Sequence, residues 1–249
     1  MIEVAGLTKR YGENGISDLT FSVQPGELFV FLGPNGAGKS TTVKILTGLL
    51  APDAGAATVA GHDVLADRLG LKRDIGYMAE RPFLYEKLTG REFLRFMAEV
   101  FLVPKRTWLE RTESLLSAFE LRDDADDLIE TYSHGMRQKL ALAAVLIHEP
   151  AVLFLDEPTN GLDPRAARVV KDVLTQICQR GATVFMTTHV LEIAQEMCDR
   201  VGVLHEGRLV ASGSLDELRA QFAMPDATLE EIFLSVTGAP VTPTLALYQ

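Results

Sequence analysis

The stretch GPNGAGKST, from Gly33 to Thr41, decides the fold of this chain. It fits the phosphate-loop pattern G-x-x-x-x-G-K-[ST], with Lys39 in the lysine position and Ser40 in the hydroxyl position. The apolar run from Leu28 to Leu32 before it is typical of a buried strand, and TTVKILTGLL after it has apolar residues at helical spacing. Strand, loop and helix in this order predict an α/β domain with a phosphate site at the loop.

The glycines of this loop are suited to binding a polyphosphate. They let successive backbone N–H groups turn inward, and the N-terminus of the following helix adds the positive end of its dipole. Lys39 supplies a positive charge near the outer phosphates, and Ser40 is expected to ligate Mg²⁺. The residues expected to hold the nucleotide phosphates are Gly33, Pro34, Asn35, Gly36, Ala37, Gly38, Lys39, Ser40 and Thr41. The alternative is a glycine-rich turn that binds nothing.

Length and charge exclude several other classes of function. The 249 residues suffice for one large α/β domain or for a core with an inserted subdomain. The chain has 34 acidic and 24 basic residues, a net charge of -10, and no basic patch, which disfavours nucleic acid or an anionic membrane surface as a partner. The longest apolar runs, such as Leu140 to Ile147, fall short of the ~18 residues that a membrane span requires.

Cysteine and histidine usage predicts a reduced, cytosolic protein without a zinc site. Glu3 interrupts the N-terminal segment, so no signal peptide is expected. The two cysteines, Cys178 and Cys198, cannot form a disulfide framework and are interpreted as small apolar residues on helices. The five histidines lack metal-ligand spacing with each other or with cysteine.

The order of the remaining elements predicts a mainly parallel sheet with a helical insertion. Two alternating segments near the start indicate strands joined by polar turns, and the helix after the loop carries Val43, Leu46 and Leu50 on its apolar face. From residue 81 to about 150 the pattern becomes helical. In REFLRFMAEVFL, the apolar residues at helical spacing are Phe93, Phe96, Met97 and Val100. The strand-like runs are DIGYMAE at 74–80, AVLFL at 151–155, TVFMTT at 183–188 and VGVL at 201–204.

Capping signals place several helix starts and the domain division. Three pairs have capping-box spacing and give their acidic residues a structural role: Thr89 with Glu92, Ser214 with Glu217, and Thr228 with Glu231. Asp163-Pro164 is a further helix start. We expect residues 1–80 and 150–220 to form the nucleotide-binding core with its β subdomain. Residues 81–149 would form the helical subdomain, and 221–249 a C-terminal helix and a loose tail.

A carboxylate pair follows a second buried strand. In AVLFLDEP, Asp156 and Glu157 emerge at the C-terminal end of the strand, where open α/β sheets bind ligands. Adjacent carboxylates can divide the work of phosphoryl transfer: Asp156 holds Mg²⁺, directly or through water, and Glu157 polarises a water for attack on the γ-phosphate. The alternative is that two acids merely end the strand as solvated residues.

These motifs together resemble, in order over about residues 2 to 236, the ATPase subunit of an ATP-binding cassette (ABC) transporter. GPNGAGKST is similar to its Walker A motif and AVLFLDEP to its Walker B motif. TTH is similar to its switch, which implies that His189 contacts the γ-phosphate, and Tyr11 matches the aromatic residue that stacks on adenine. TNGLD is similar to its D-loop, whose residues here are Asn160, Gly161, Leu162 and Asp163.

Two motifs depart from the common family pattern. The signature loop, usually LSGGQ, reads YSHGM from Tyr132 to Met136, and its retained serine and glycine precede a helix, where they can complete an anion site. The signature residues expected to act across a dimer are Ser133, His134, Gly135 and Met136. Glu80 occupies the position usually held by the Q-loop glutamine and could touch Mg²⁺ or its water shell. Both departures resemble a branch of cassettes that serves export-type permeases.

The resemblance implies a P-loop NTPase fold with a mainly parallel core sheet, an N-terminal antiparallel β subdomain and an inserted helical subdomain. It implies ATP and Mg²⁺ as ligands, with Ser40, Asp156 and Glu80 near the metal and with Glu157 and His189 as catalytic residues. It also implies a dimer, of identical copies or with another cassette ATPase. Each site would close on ATP between the two. A separate membrane-spanning permease would hold the chain at the cytoplasmic face.

Two rival functions share part of this pattern. A cassette ATPase that works without a membrane, in repair, translation or assembly, would carry every motif, but commonly has paired cassettes, long coiled-coil insertions or basic surfaces, none of which is visible here. A GTPase switch would share the phosphate loop alone. It would also need a guanine-reading NKxD-type segment, which the sequence lacks.

Overall fold

Two sheets form the framework of the molecule in the computed structural model, which describes residues 1–12 and 14–238. A four-stranded antiparallel sheet has the order β2-β1-β4-β5, and a six-stranded sheet has the order β10-β9-β3-β8-β7-β6. The strands are β1 (Ile2–Tyr11), β2 (Asn14–Val23), β3 (Leu28–Leu32), β4 (Ala54–Val59), β5 (His62–Asp63), β6 (Ile75–Met78), β7 (Val152–Asp156), β8 (Thr183–Thr188), β9 (Arg200–His205) and β10 (Arg208–Gly213). The pairs from β9 through β6 are parallel, whereas β10 runs antiparallel to β9, so the predicted mainly parallel sheet is confirmed.

Helices cover both faces of the parallel sheet. They are α1 (Lys39–Leu46), α2 (Arg68–Asp74), α3 (Gly90–Val100), α4 (Lys105–Ala118), α5 (His134–Leu146), α6 (Pro164–Gln179), α7 (Leu191–Met197), α8 (Leu215–Gln221) and α9 (Leu229–Thr237). All three predicted capping boxes are present, at the starts of α3, α8 and α9, and Asp163 caps α6 ahead of Pro164. The division of the chain into subdomains stays a prediction. The tail expected after residue 238 lies outside the described residues.

Side-chain alternation along β3 separates the two cores. Phe29 and Phe31 face α1 and the antiparallel sheet, and the alternate residues face the helices on the opposite side. Five phenylalanine rings pack on the first side, with centroids between 5.4 and 6.4 Å apart in the contacting pairs. They are Phe21, Phe29, Phe31, Phe154 and Phe185. Because Phe21 belongs to β2, this aromatic cluster joins the two sheets.

The apolar face predicted for α3 is partly wrong. Phe93 is buried, but Phe96 is 38% exposed and Val100 is 57% exposed. The core takes Leu94 and Ala98 instead. Phe96 packs edge-on against Tyr85, outside the core, with ring centroids 5.2 Å apart. The helix therefore has two apolar stripes, and spacing alone does not tell which of them is buried.

Three further local features differ from the sequence interpretation. Helix α1 ends at Leu46, because Gly48 adopts a φ of 70° that breaks the helical backbone, so Leu50 lies beyond the helix. Helix α2 and strand β10 were not predicted. Strand β10 forms a hairpin with β9 around Glu206 and Gly207, both with positive φ, which is the geometry of a tight two-residue turn.

Candidate active site

Three parallel strands end side by side at the candidate site. Strand β8 lies between β3 and β7, so Leu32 is paired with Thr188, and Asp156 with Thr187. The glycine loop follows β3, the carboxylate pair ends β7, and His189 follows β8. Parallel strands place their C-terminal ends at one edge, which is where α/β folds bind ligands. The topology thus gathers segments that are far apart in the sequence.

The loop backbone requires glycine at its turning points. Gly38 has a φ of 108° and a Cβ added there would lie 2.4 Å from Ile16 Cγ2. Gly33 is equally confined, because its Cβ would lie 2.4 Å from the Leu204 carbonyl oxygen. Gly38 is also the N-cap of α1 and provides no side-chain cap. The first N–H groups of α1 therefore lack a side-chain acceptor, which is how a helix binds an anion.

Lys39 lies buried in this loop with only 6% of its surface exposed. Its Nζ donates to the carbonyl oxygens of Gly33 at 2.6 Å and Pro34 at 3.3 Å. Burial lowers the pKa of the Lys39 ammonium, and the negative charges of Glu157, Asp156 and Glu80 oppose that shift. An added phosphate would supply further negative charge to a poorly solvated cation.

The carboxylate pair is buried beside the lysine. Asp156 is 4% exposed and Glu157 is 6% exposed. Glu157 Oε1 lies 3.8 Å from Lys39 Nζ and 2.9 Å from His189 Nδ1. Glu157 has a φ of 52°, a left-handed conformation that a residue other than glycine adopts only where its surroundings hold it. Glu157 therefore contacts two of the other predicted residues, and the three residues come from segments that follow three different strands.

The remaining residues predicted for this site surround it less tightly. Ser40 is half-buried in the first turn of α1, and the exposed Glu80 follows β6. Tyr11 ends β1 with 50% of its surface exposed, and Lys9 Nζ lies 6.0 Å from its ring centroid. Hydroxyl and carboxylate oxygens are the ligands that Mg²⁺ prefers, so the residues present fit a nucleotide and a divalent cation.

The signature segment sits at the N-terminus of α5. Ser133 is its N-cap, and its Oγ accepts the Met136 N–H at 3.2 Å. His134 donates from Nε2 to the Asn160 carbonyl at 3.3 Å, and a Cβ on Gly135 would touch Leu162 Cδ2 at 3.7 Å. Signature segment and D-loop are thus neighbours in one chain. Among the described residues, no hydrogen bond joins residues 133–136 to the phosphate loop or to the carboxylate pair.

Tyr132 explains one departure of the signature loop. Its side chain is buried, with 5% of the residue exposed, and its hydroxyl donates to the Asp124 carbonyl at 2.7 Å. Burial raises the pKa of Tyr132 to about 12. Its oxygen also fills the space beside Gly90, where an added Cβ would approach it to 2.4 Å. The tyrosine therefore anchors the loop to the turn at Asp124 and to the start of α3.

A groove of about 1000 Å³ lies between α2, α3, α4 and the end of α5. Its wall includes the exposed side chains of Leu49, Leu69, Val100 and Leu102 and the basic residues Lys72, Arg73 and Arg111. Within the part of the chain that the structure describes, no helix has both the length and the apolarity needed to cross a membrane.

Known proteins share this architecture. A profile described as ABC transporter matches residues 16–160, more than half of the chain. The solved "Structure of ATP binding subunit of ABC transporter" superimposes with a TM-score of 0.90 and 35% identity, covering 95% of this chain and 99% of the other. The ADP conformation of MJ1267, an ATP-binding cassette, is 23% identical with a TM-score of 0.79 and shares the fold.

Curated relatives are named as ATP-binding proteins, two of them of ABC transporters and one of drug resistance. The probable multidrug ABC transporter ATP-binding protein YbhF of Escherichia coli is 41% identical over 95% of this chain, which spans only 41% of the length of YbhF. The daunorubicin resistance ATP-binding protein DrrA3 of Streptomyces coeruleorubidus is 43% identical, with 88% of this chain and 70% of DrrA3 aligned. The transporter ATP-binding protein EcsA of Bacillus subtilis is 35% identical over 95% of this chain and 96% of its own length. With its phosphate loop, carboxylate pair and signature segment in the family's order, the chain belongs to the ABC transporter family as an ATP-binding cassette with the P-loop NTPase fold.

Proposed function

We propose that the chain binds and hydrolyses ATP to power an export-type membrane transporter. The contact of Glu157 with both Lys39 and His189, beside the glycine loop, carries this proposal. The loop supplies the anion site, and the buried carboxylate supplies a base at the same place. A fold that only bound nucleotide would not need a carboxylate held in a left-handed conformation against the phosphate site.

The chain's own residues divide the chemistry. Lys39 and the first N–H groups of α1 hold the outer phosphates of ATP, and Glu157 takes a proton from the water that attacks the γ-phosphate. His189, in contact with Glu157, lies where it can steady that carboxylate and meet the γ-phosphate. Mg²⁺, with Ser40 and Asp156 as its ligands and Glu80 nearby, would supply positive charge that neutralises the phosphate oxygens.

Pairing of two cassettes would complete the site. Ser133 and His134 are exposed and bind nothing at their own chain's phosphate loop, so they are free to meet the loop of a second copy or of another cassette ATPase. ATP that touches both halves stabilises the closed pair by its differential affinity for that state. Hydrolysis removes the link and lets the pair open.

The groove between α2 and α3 would bind a segment of a permease subunit. On its walls, Leu69 is 66% exposed and Leu102 is 83% exposed. Exposed apolar surface of this kind is typical of a site that binds another protein. The adjacent Lys72 and Arg73 favour a partner segment that combines apolar and acidic side chains. Such a partner would hold the chain at the cytoplasmic face of the membrane. The relatives named for multidrug transport and for daunorubicin resistance support export as the direction of transport.

The alternative is a cassette ATPase that acts without a membrane partner. It would use the same site, but the relatives named as transporter ATP-binding proteins favour transport over this alternative.

The first test is the molar mass of Glu157→Gln protein by light scattering, with and without ATP and Mg²⁺. We expect the mass to double with ATP, because the variant binds nucleotide but lacks the base, and turnover to fall about 100-fold or more. The control is Glu3→Gln, which removes an exposed carboxylate on β1. Unchanged hydrolysis would remove Glu157 from its role. A variant that binds ATP but stays monomeric would contradict pairing of this chain with itself.

A further inference from the structure

Thr187 opens the TTH segment that ends in His189, and it is a fully buried hydroxyl residue next to the carboxylate pair. It lies in β8, in register with Asp156 of β7, with 0% of its surface exposed. Its Oγ1 donates to Asp156 Oδ1 at 2.5 Å and accepts the Glu157 N–H at 3.2 Å. One hydroxyl therefore contacts both members of the carboxylate pair.

The two contacts leave the hydroxyl one possible orientation. An amide N–H can only donate and an ionised carboxylate can only accept, so the single hydroxyl hydrogen must point to Asp156. Hydrogen bonds to a charged group are the stronger class, and a buried carboxylate depends on them. Among the hydrogen bonds of the described residues, Asp156 accepts through Oδ1 alone, which leaves Oδ2 free for another ligand.

We propose that Thr187 is a positioning residue that fixes the Asp156 carboxylate for the metal of the nucleotide complex. The inference rests on the proposed function, in which Asp156 ligates Mg²⁺. Thr187 acts through Asp156 and touches neither nucleotide nor metal itself. Its hydroxyl holds Oδ1, so the carboxylate presents Oδ2 in one direction without having to reorient when the metal enters.

The backbone allows the hydroxyl to be tested by itself. The Glu157 N–H also reaches the Thr187 carbonyl oxygen at 3.2 Å, a bond that a side-chain change leaves in place. The ladder between β7 and β8 is likewise made by the backbone. Thr187→Val keeps the β-branched shape and removes the hydroxyl, and Thr187→Ser keeps the hydroxyl.

Strand β8 also contains a matched control. Thr183 is equally buried, donates from Oγ1 to the Gln24 carbonyl at 3.2 Å and accepts the Gly26 N–H at 3.1 Å. Thr183→Val therefore loses one donated and one accepted bond from the same strand, but at the end away from the carboxylates. Thr183→Val therefore shows how much the exchange of a buried threonine for valine in this strand affects the protein in general.

The experiment measures Mn²⁺ binding by electron paramagnetic resonance at saturating AMP-PNP, a nucleotide that is not hydrolysed. We expect Thr187→Val to bind Mn²⁺ about 10- to 100-fold more weakly, the range found when a partner that orients a metal ligand is removed. Thr187→Ser should stay near wild type, and Thr183→Val should match wild type in Mn²⁺ affinity. Metal-free AMP-PNP binding in EDTA should be the same in all four proteins.

The outcomes separate this inference from the function on which it rests. Equal Mn²⁺ affinity in wild type and Thr187→Val would overturn the positioning role, and so would an equal loss in Thr183→Val or in Thr187→Ser. A wild-type protein that binds no AMP-PNP would instead overturn the proposed function, and the inference with it. Melting temperatures of Thr187→Val and Thr183→Val identify any variant that is merely unfolded.

Discussion

The phosphate loop and the signature segment each lead into a helix, and the two helices differ in whether their first N–H groups are capped by a side chain. The phosphate loop enters α1 through Gly38, which offers no side-chain cap. The signature segment enters α5 through Ser133, whose hydroxyl accepts the Met136 N–H. Helix α1 therefore leaves its first donors for a ligand, whereas α5 satisfies one of its own.

The difference indicates how the work is divided within one chain. The α1 loop is surrounded by buried charged groups, with Lys39 in contact with Glu157, and is built before any partner arrives. The α5 loop is exposed and capped by its own serine, which suits the pairing with a second chain proposed above. Ser133 still has its hydroxyl hydrogen to donate. Variants of the phosphate loop should therefore impair the folded, ATP-binding monomer, whereas variants of the signature segment should impair pairing.

The largest contrast is expected between Gly38→Ala and Gly135→Ala. The first imposes a φ of 108° on alanine and places its Cβ 2.4 Å from Ile16 Cγ2, so it should lower the unfolding free energy by about 2–5 kcal/mol. It should also abolish ATP binding. The second meets only Leu162 at 3.7 Å, so the monomer should fold and bind ATP normally while pairing weakens. Denaturant melts and light scattering measure both, and equal destabilisation by the two variants would break the comparison.

The next largest effect is expected for Lys39→Ala, on the affinity for ATP. Loss of a buried charged donor should weaken ATP binding about 10- to 100-fold, the range for a hydrogen bond to a charged group. The control is Lys44→Ala, which removes an exposed ammonium from the same helix and should leave the affinity unchanged. Calorimetric titration with ATP compares the two variants. Equal affinities for both would count against the loop assignment.

Ser133 allows the cap to be separated from the interface. Ser133→Ala removes the cap of α5 and should lower the unfolding free energy by about 1 kcal/mol, with ATP binding to the monomer unchanged. Ser133→Arg adds bulk at the exposed surface and should block ATP-dependent pairing in the Glu157→Gln background. A Ser133→Arg protein that still doubles its mass with ATP would contradict the role of the signature segment.

The start of α2 offers a third kind of helix entry, held by charge. Its N-cap Asp67 accepts the Gly70 N–H, and His62 bridges Asp67 Oδ2 at 2.7 Å and Asp74 Oδ2 at 2.8 Å, joining both ends of the helix. The carboxylates of Asp74 and Asp67 raise the pKa of His62. The pKa of Asp67 is lowered by the Gly70 N–H and by His62.

The sign of the pH effect follows from these two shifts. The contribution of His62 is complete below the pKa of an unfolded histidine, about 6.5, and is lost as the pH rises through the raised pKa. The contribution of Asp67 is complete above about 3.9 and is lost as the pH falls. We expect His62→Gln to reduce the melting temperature more at pH 6 than at pH 9, with His205→Gln as the control. An equal reduction at both pH values would show that α2 is held by packing alone.

The motifs could be predicted from the sequence because each is a contiguous segment with its own local requirement. The glycines around Lys39, the acids at the end of β7 and the serine and glycine ahead of α5 need only near neighbours along the chain. The parallel sheet also follows, because buried apolar runs alternate with helices. Even Glu157 was recognisable, since it directly follows Asp156 at the end of a buried strand.

The remaining features depend on contacts that no local pattern contains. Thr187 meets Asp156 only through the register of two parallel strands, which is set by the whole sheet. The buried stripe predicted for α3 is partly wrong because Phe96 and Leu94 are both apolar, and only the packing of neighbouring helices chooses between them. Strand β10 did carry a signal that was missed, the Glu206-Gly207 turn.

The five phenylalanine rings between the sheets also set the stiffness of the nucleotide site. Tyr11, the expected contact for the base, ends a strand of the antiparallel sheet, while the phosphate loop follows a strand of the parallel sheet. The rings lock these sheets together on one face. The distance between Tyr11 and the phosphate loop is thus fixed, which favours a ligand of one length. In the proposed function, any movement driven by hydrolysis would then fall to the other face of the parallel sheet, where α3, α4 and α5 pack.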